Sequence, residues 1–232
     1  MNNKKQAKKR VKNKEVLLFG MSGKIASGKD TVGELLSSEL SNQGFYIVET
    51  SFGKVIRDEI DYVVKHFNNN GDLLELASDE DNIDELVENV EKLADLLKDK
   101  SIYDRSEESR AALQFWGTDF RRNQNSNYWI EKMESFLIES ILKGVSVNVT
   151  DARFPNEVDL ILALGGKVAR LEVPAYVRKQ RIIKRDGVFH GDHVLTHKSE
   201  IALDDYPFPV CYNGEKTPEQ LKNEILYYIL EK

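Results

Sequence analysis

The spacing of apolar positions changes period along the chain, and the period predicts the elements. Glu15 to Met21 (EVLLFGM) is a short apolar run closed by Ser22-Gly23, the pattern of a buried strand entering a tight turn. From Asp30 to Leu40, Val32, Leu35, Leu36 and Leu40 recur at helical spacing. Phe45 to Phe52 predicts a second strand, and Val55, Ile56, Ile60 and Val63 a second helix. Residues 71–100 place Ile83, Leu86, Val87, Val90, Leu93, Ala94 and Leu97 on one stripe, beside polar Asn68-Asn69-Asn70-Gly71. That stripe predicts an amphipathic helix. Helical patterns resume over Ser106–Arg122 and Tyr128–Leu142. Val145 to Asp151 alternates as a strand ending in a carboxylate, Gly165-Gly166 breaks the next helix, and Val168 to Val173 is a further strand. A cation-rich helix after Pro174, a Gly/His/Asp loop over Gly187–His197, a strand around Val210-Cys211-Tyr212 and a helix from Pro218 to Leu230 complete the pattern. Strands alternating with helices predict an α/β fold with a five-stranded, mainly parallel sheet.

Composition narrows the class. The 232 residues are 41% hydrophobic and 31% charged, enough to bury a core, and no apolar run approaches the ~18 residues of a membrane span. The N-terminus carries no apolar signal core, so a cytoplasmic location is the expectation. Cys211 is the single cysteine, which excludes internal disulfides and a cysteine-built zinc site. The first fourteen residues hold seven cations and no acid, so the remainder falls from the formal charge of −6 by seven, to −13. Residues 1–14 therefore read as a disordered, solvated basic tail, and the acidic body argues against nucleic-acid binding. Residues 71–100 carry eleven acids and three lysines, which predicts an inserted helix with a solvated acidic face or a homodimer contact.

Chemistry concentrates first at Gly23-Lys24-Ile25-Ala26-Ser27-Gly28-Lys29-Asp30-Thr31, a G-x-x-x-x-G-K loop between a strand and a helix. Such a loop wraps backbone N–H groups around nucleotide phosphates at a helix N-terminus, and Lys29 reaches the transferred group. The residue after the lysine is ordinarily a Ser or Thr whose hydroxyl binds Mg²⁺; here it is Asp30, followed by Thr31. Asp30 reads equally as a water-mediated Mg²⁺ ligand, as an orienting group for an acceptor phosphate, or as a helix N-terminal carboxylate.

Asp151 closes a strand, where α/β folds bind ligands, and opens Asp151-Ala152-Arg153-Phe154-Pro155-Asn156-Glu157. Pro155 starts a helix, so Asn156 and Glu157 are either first-turn capping groups or catalytic ones.

Together with Leu113-Gln114-Phe115-Trp116-Gly117-Thr118, Tyr128-Trp129 and His197-Lys198-Ser199-Glu200, these motifs occur in an order that resembles the phage-type deoxynucleoside monophosphate kinases. The resemblance spans roughly residues 15–231. It implies a three-layer P-loop kinase fold with a helical insertion (71–100) and a lid (about 174–197), in one domain over 15–232. It implies ATP as phosphate donor with Mg²⁺, held by Asp30, Thr31 and Asp151 directly or through water. Gly23, Lys24, Ala26, Ser27, Gly28, Lys29, Asp30 and Thr31 fall on the donor side. Arg110, Gln114, Gly117, Thr118 and Trp129 fall on the acceptor nucleotide, with Asp151, Arg153 and Glu157 between the two. Some relatives carry a second cation beside the Arg110 position; here that neighbour is Ala111.

The chemistry agrees with the resemblance. A phosphate acceptor is already ionised, so the protein needs no general base, only cations that hold two polyanions together. Lys29, Arg110, Arg153 and the run Arg178, Lys179, Arg181, Lys184 and Arg185 supply them. Arg178, Arg181 and Arg185 share a helix face and read either as lid arginines closing over ATP or as a solvated basic face. Two other readings remain: a phosphomevalonate kinase-like enzyme with a similar loop, and a regulatory protein that binds ATP without transfer.

Overall fold

The computed structural model describes residues 2–69, 82–98, 100–104, 106–189, 191 and 193–231. The chain forms two compact units, Met1–Ser51 with Met133–Lys232, and Phe52–Lys132.

The first unit is built on a five-stranded sheet: β1 (Leu18–Gly23), β2 (Ile47–Thr50), β3 (Ser146–Ala152), β4 (Lys167–Glu172) and β5 (Cys211–Asn213). Its order is β2-β3-β1-β4-β5 and every pairing is parallel. β1 is central and fully buried, which is why its sequence reads as a continuous apolar run. On one face Phe19 and Met21 pack with Ala169 and Leu171 against Val32, Leu36 and Leu40 of α2 (Lys29–Asn42) and Leu221, Ile225 and Ile229 of α12 (Pro218–Leu230). On the other face α8 (Pro155–Ala163) comes so close that a Cβ on Gly20 would lie 2.6 Å from Ile161 Cδ1. The α/β class with helices over a parallel sheet is as the sequence predicts, and among the described strands no antiparallel pair occurs.

The basic tail is not disordered. Residues Asn2–Lys12 form α1, with Ala7 and Val11 buried. Its cations explain the difference. Arg10 donates to Leu142 O at 2.7 Å, at the end of α7 (Tyr128–Leu142), while Lys14 donates to Leu230 O and to Glu231 O (2.8 Å) at the end of α12. Helix C-termini expose unpaired carbonyls and partial negative charge, so positive side chains are stabilising there. Lys4 pairs with Glu134.

The second unit is helical: α3 (Phe52–Asn68), α4 (Ile83–Leu97), α5 (Glu107–Gln114), a π-helical turn over Phe115–Phe120, and α6 (Arg121–Gln124). Asn82 caps α4 by accepting from Asp84 N–H at 3.1 Å. Leu86, Val90, Leu93 and Leu97, four of the seven residues of the expected insertion's stripe, are buried within this unit; residues 71–81 and 99 of that insertion lie outside the described residues. The continuous helix predicted over 106–122 is broken by the π turn. Gly117 sits in it, where a Cβ would meet Ile56 Cδ1 at 3.0 Å, and its carbonyl accepts from Trp129 Nε1 at 2.8 Å. A buried carboxylate organises the unit's interior: Glu59 accepts from Trp116 Nε1 (2.9 Å), Arg121 Nε (3.3 Å) and Tyr128 Oη (2.9 Å), and pairs with Lys132 at 2.6 Å. No helix among the described residues is long and apolar enough to cross a membrane.

Candidate functional site

The Gly23–Thr31 loop leaves the carboxyl end of β1, the sheet's central strand, where a parallel sheet opens a ligand crevice. The β1–β3 register shifts between Gly20 and Ser22. Ser22 Oγ donates to Ala152 O at 2.8 Å and accepts from Arg170 Nη1 at 3.1 Å, so the start of the loop is tied to both neighbouring strands. Gly28 then has φ 93°, a left-handed conformation that glycine adopts without strain and that turns the chain into α2. Ala26 is also left-handed, at φ 60°. Ser27 is buried and its Oγ has no hydrogen-bond partner. A buried, unsatisfied hydroxyl within a loop of this motif fits a phosphate oxygen.

Lys29 opens α2 and is only 5% exposed. Burial, and next the nearby Arg153 charge, push its pKa down, while Asp30 and Asp151 act in the opposite direction. Lys29 Nζ lies 3.1 Å from Asp30 Oδ1, and the Asp30 side chain is largely exposed. Arg153 directly follows β3. Burial works against its charge, yet the Glu200 and then the Asp151 carboxylates outweigh it and raise its pKa. Two cations and two carboxylates thus converge at the loop: Lys29, Arg153, Asp30 and Asp151. Thr31 is exposed on the first turn of α2.

Several sequence-predicted site residues have structural partners instead. Glu157 is buried, and its Oε2 accepts from the N–H groups of Arg153 (2.7 Å) and Phe154 (3.2 Å). It is therefore the capping group of α8, the alternative that its place after Pro155 left open, and it fixes the backbone of Arg153. Trp129 is 0% exposed, edge-on to Tyr128 at 4.8 Å, with its indole N–H spent on Gly117 O. It packs the interior of its unit and offers no open face for a base. Arg181 lies on α9 (Ala175–Asp186) but donates to Ala26 O (3.2 Å), Ser27 O (3.0 Å) and Gly214 O (2.9 Å), clamping the Gly23–Thr31 loop to the turn after β5. Arg185 forms two 2.7 Å bonds to Asp186. Of the expected lid, residues 190 and 192 lie outside the described residues. Arg110 and Gln114 are exposed on α5, Thr118 is half-buried and Gly117 is buried.

Three site features were not predicted. Lys24 pairs with Asp204 at 2.6 Å, and the Ile25 N–H donates to Glu200 Oε2 at 2.7 Å. A cleft of about 470 Å³ lined by Glu172, Val173, Pro174, Tyr212 and Asn213 opens beside Gly214 at the ends of β4 and β5. For a metal, no three His, Cys, Asp or Glu among the described residues form a group able to hold an ion alone. Mg²⁺ ordinarily takes one or two carboxylates together with substrate phosphates, which the pair Asp30 and Asp151 fits.

No family model matches the chain. Over 89 residues it is 28% identical to the uncharacterized protein ORF77 of Ictalurid herpesvirus 1 (strain Auburn), a match covering 38% of this chain and 34% of the viral protein. The chain thus spans about a third of that relative's length. Among solved structures it is similar to a gluconokinase from Sinorhizobium meliloti 1021 (15% identity, 92% of this chain and 91% of that one, TM-score 0.48). It is also similar to a sugar kinase from Janibacter sp. HTCC2649 (19%, 92% and 94%, 0.48) and to shikimate kinase from Bacteroides thetaiotaomicron (15%, 93% and 99%, 0.41).

Proposed function

We propose that the chain transfers the γ-phosphoryl group of ATP to the phosphate of a deoxynucleoside 5′-monophosphate. The observation that carries this reading is the buried, unpartnered Ser27 hydroxyl beside buried Lys29 in a loop whose motif suits phosphate, with the Arg153 charge acting on Lys29. Asp30 and Asp151 offset these two charges in part, and two phosphate chains supply the further anion that Lys29, still disfavoured by burial, would gain from. An acceptor phosphate oxygen attacks the γ-phosphorus, the bond to the β–γ bridging oxygen breaks, and ADP leaves. Lys29 neutralises charge on the transferred group, and the Arg153 fork orients the acceptor oxygens. Mg²⁺, held by Asp30 and Asp151 with the donor phosphates and by Thr31 directly or through water, would supply further neutralisation of the triphosphate. The cleft beside Gly214 would receive the donor base.

The acceptor class rests on the resemblance of Gln114-x-x-Gly117-Thr118 and of the Asp151–Glu157 stretch, with Arg110 as a further phosphate cation. Exposed Gln114 offers an amide donor and acceptor suited to a base edge. The test is ADP release across the four deoxynucleoside monophosphates, their ribose counterparts, the unphosphorylated nucleosides and 5-phosphomevalonate. Turnover that requires a deoxynucleoside monophosphate supports the reading. Turnover on 5-phosphomevalonate alone, or ATP binding with no acceptor-dependent release, overturns it.

A further inference from the structure

We propose that Glu200 is a positioning residue that locks the phosphate loop and Arg153 into one unit. The proposal rests on the functional reading above for what Arg153 grips, but not for what Glu200 touches. Glu200 is 6% exposed on the short helix α11 (Lys198–Ile201), after α10 (His193–Thr196), and both its oxygens are engaged. Oε2 accepts from the Ile25 N–H at 2.7 Å, and Oε1 accepts from Arg153 Nη1. One carboxylate thus bridges the loop after β1 and the residue after β3, segments far apart in sequence.

The surroundings show that this contact belongs to a larger support for the loop. Asp204, one turn beyond Glu200, grips Lys24 Nζ (2.6 Å), so residues 24 and 25 are held from the segment 200–204. Residues 26 and 27 are held from α9 through Arg181. Glu200 itself is held in place because His197 accepts from the Ser199 N–H at 3.2 Å and starts the turn that carries it. A guanidinium has five donors, so anchoring Nη1 leaves the rest of the planar fork for phosphate in a fixed orientation. Without the anchor, the fork loses that fixed orientation.

The two contacts are separable. In Glu200→Gln the amide oxygen still accepts from Ile25, but its NH₂ faces the guanidinium donors and the Arg153 bond is lost; Glu200→Ala loses both. By calorimetry the Gln variant should keep ATP affinity within about twofold, while the Ala variant weakens it about tenfold, the size of one charge-assisted hydrogen bond. In steady-state kinetics Glu200→Gln should raise the acceptor KM about tenfold by the same reasoning, and add almost nothing in an Arg153→Ala background. Equal weakening of ATP binding in both Glu200 variants, or additive effects of Glu200→Gln and Arg153→Ala, overturns the proposal. If the wild-type chain binds ATP yet phosphorylates no acceptor, the functional reading fails. The Gln/Ala split in ATP affinity then decides the proposal, kept if the split appears and overturned if it does not. Thermal unfolding of each variant identifies any that fail to fold, and Glu200→Gln, which keeps size and the loop bond, is the one expected to fold.

Discussion

Replacing Arg181 by Ala separates a lid arginine from a structural clamp. The guanidinium makes three bonds to backbone carbonyls, at 3.2, 3.0 and 2.9 Å, joining Ala26 and Ser27 of the loop to Gly214. Bonds from a charged donor contribute about 1.5 kcal/mol each, so the gross loss is about 4–5 kcal/mol. The side chain is only half-buried, and water can replace part of what is lost, leaving about 2–3 kcal/mol net. In a chain of this size that lowers the melting midpoint by about 5–10 °C. Arg181→Lys should fall between the two, because a single ammonium cannot reach three divergent carbonyls at once. The assay is thermal unfolding beside ATP affinity, both measured without acceptor, and turnover measured with it. A midpoint unchanged from wild type, together with a large loss of turnover, would refute the clamp and return Arg181 to a closing lid.

Other outcomes follow from the same contacts. Lys29→Met should abolish turnover yet raise the melting midpoint at pH 7, since it removes a buried charge that Arg153 repels. The sign has a pH signature: the unfolded lysine titrates at its ordinary 10.5 and the folded one lower, so wild-type stability gains on the mutant as pH rises from the folded value to 10.5. Absence of that convergence in pH-dependent unfolding would count against a buried, charged Lys29. Deleting residues 1–14 should lower the melting midpoint, because Ala7 and Val11 and the cations on the ends of α7 and α12 are lost together; an unchanged midpoint would restore the reading of a solvated tail. Glu59→Ala should destabilise the 52–132 unit by roughly 3 kcal/mol, since Arg121, 1% exposed, loses a carboxylate partner; denaturant unfolding monitored by the buried tryptophans measures it.

What could be read along the chain was what local physics dictates. The glycine-rich loop, the burial of β1 and the stop-and-start signals at Gly165-Gly166, Pro174 and Pro218 all act within a few residues, and the strands and major helices fall close to their predicted places. The misses share a different cause. In α1 only Ala7 and Val11 are buried hydrophobics, set among six cations, too sparse a pattern to outweigh the charge. The π turn exists because Gly117 lets Ile56 approach and frees a carbonyl for Trp129, partners that no periodicity reveals. Glu200 stood in a recognised motif, yet its role depends on meeting Ile25 and Arg153, and that meeting is made by the fold. Trp129 shows the converse: an aromatic at helical spacing belonged to the interior, as aromatics usually do.

The central claim is that Lys29 and Arg153 bring two phosphates together for transfer, and the fate of a label tests it most directly. With ATP labelled at the γ-phosphate, Mg²⁺ and each deoxynucleoside monophosphate, the label should appear as the terminal phosphate of the deoxynucleoside diphosphate. It should do so in step with ADP, and vanish in Lys29→Ala. Label released only as inorganic phosphate, at a rate indifferent to the acceptor, would contradict the account.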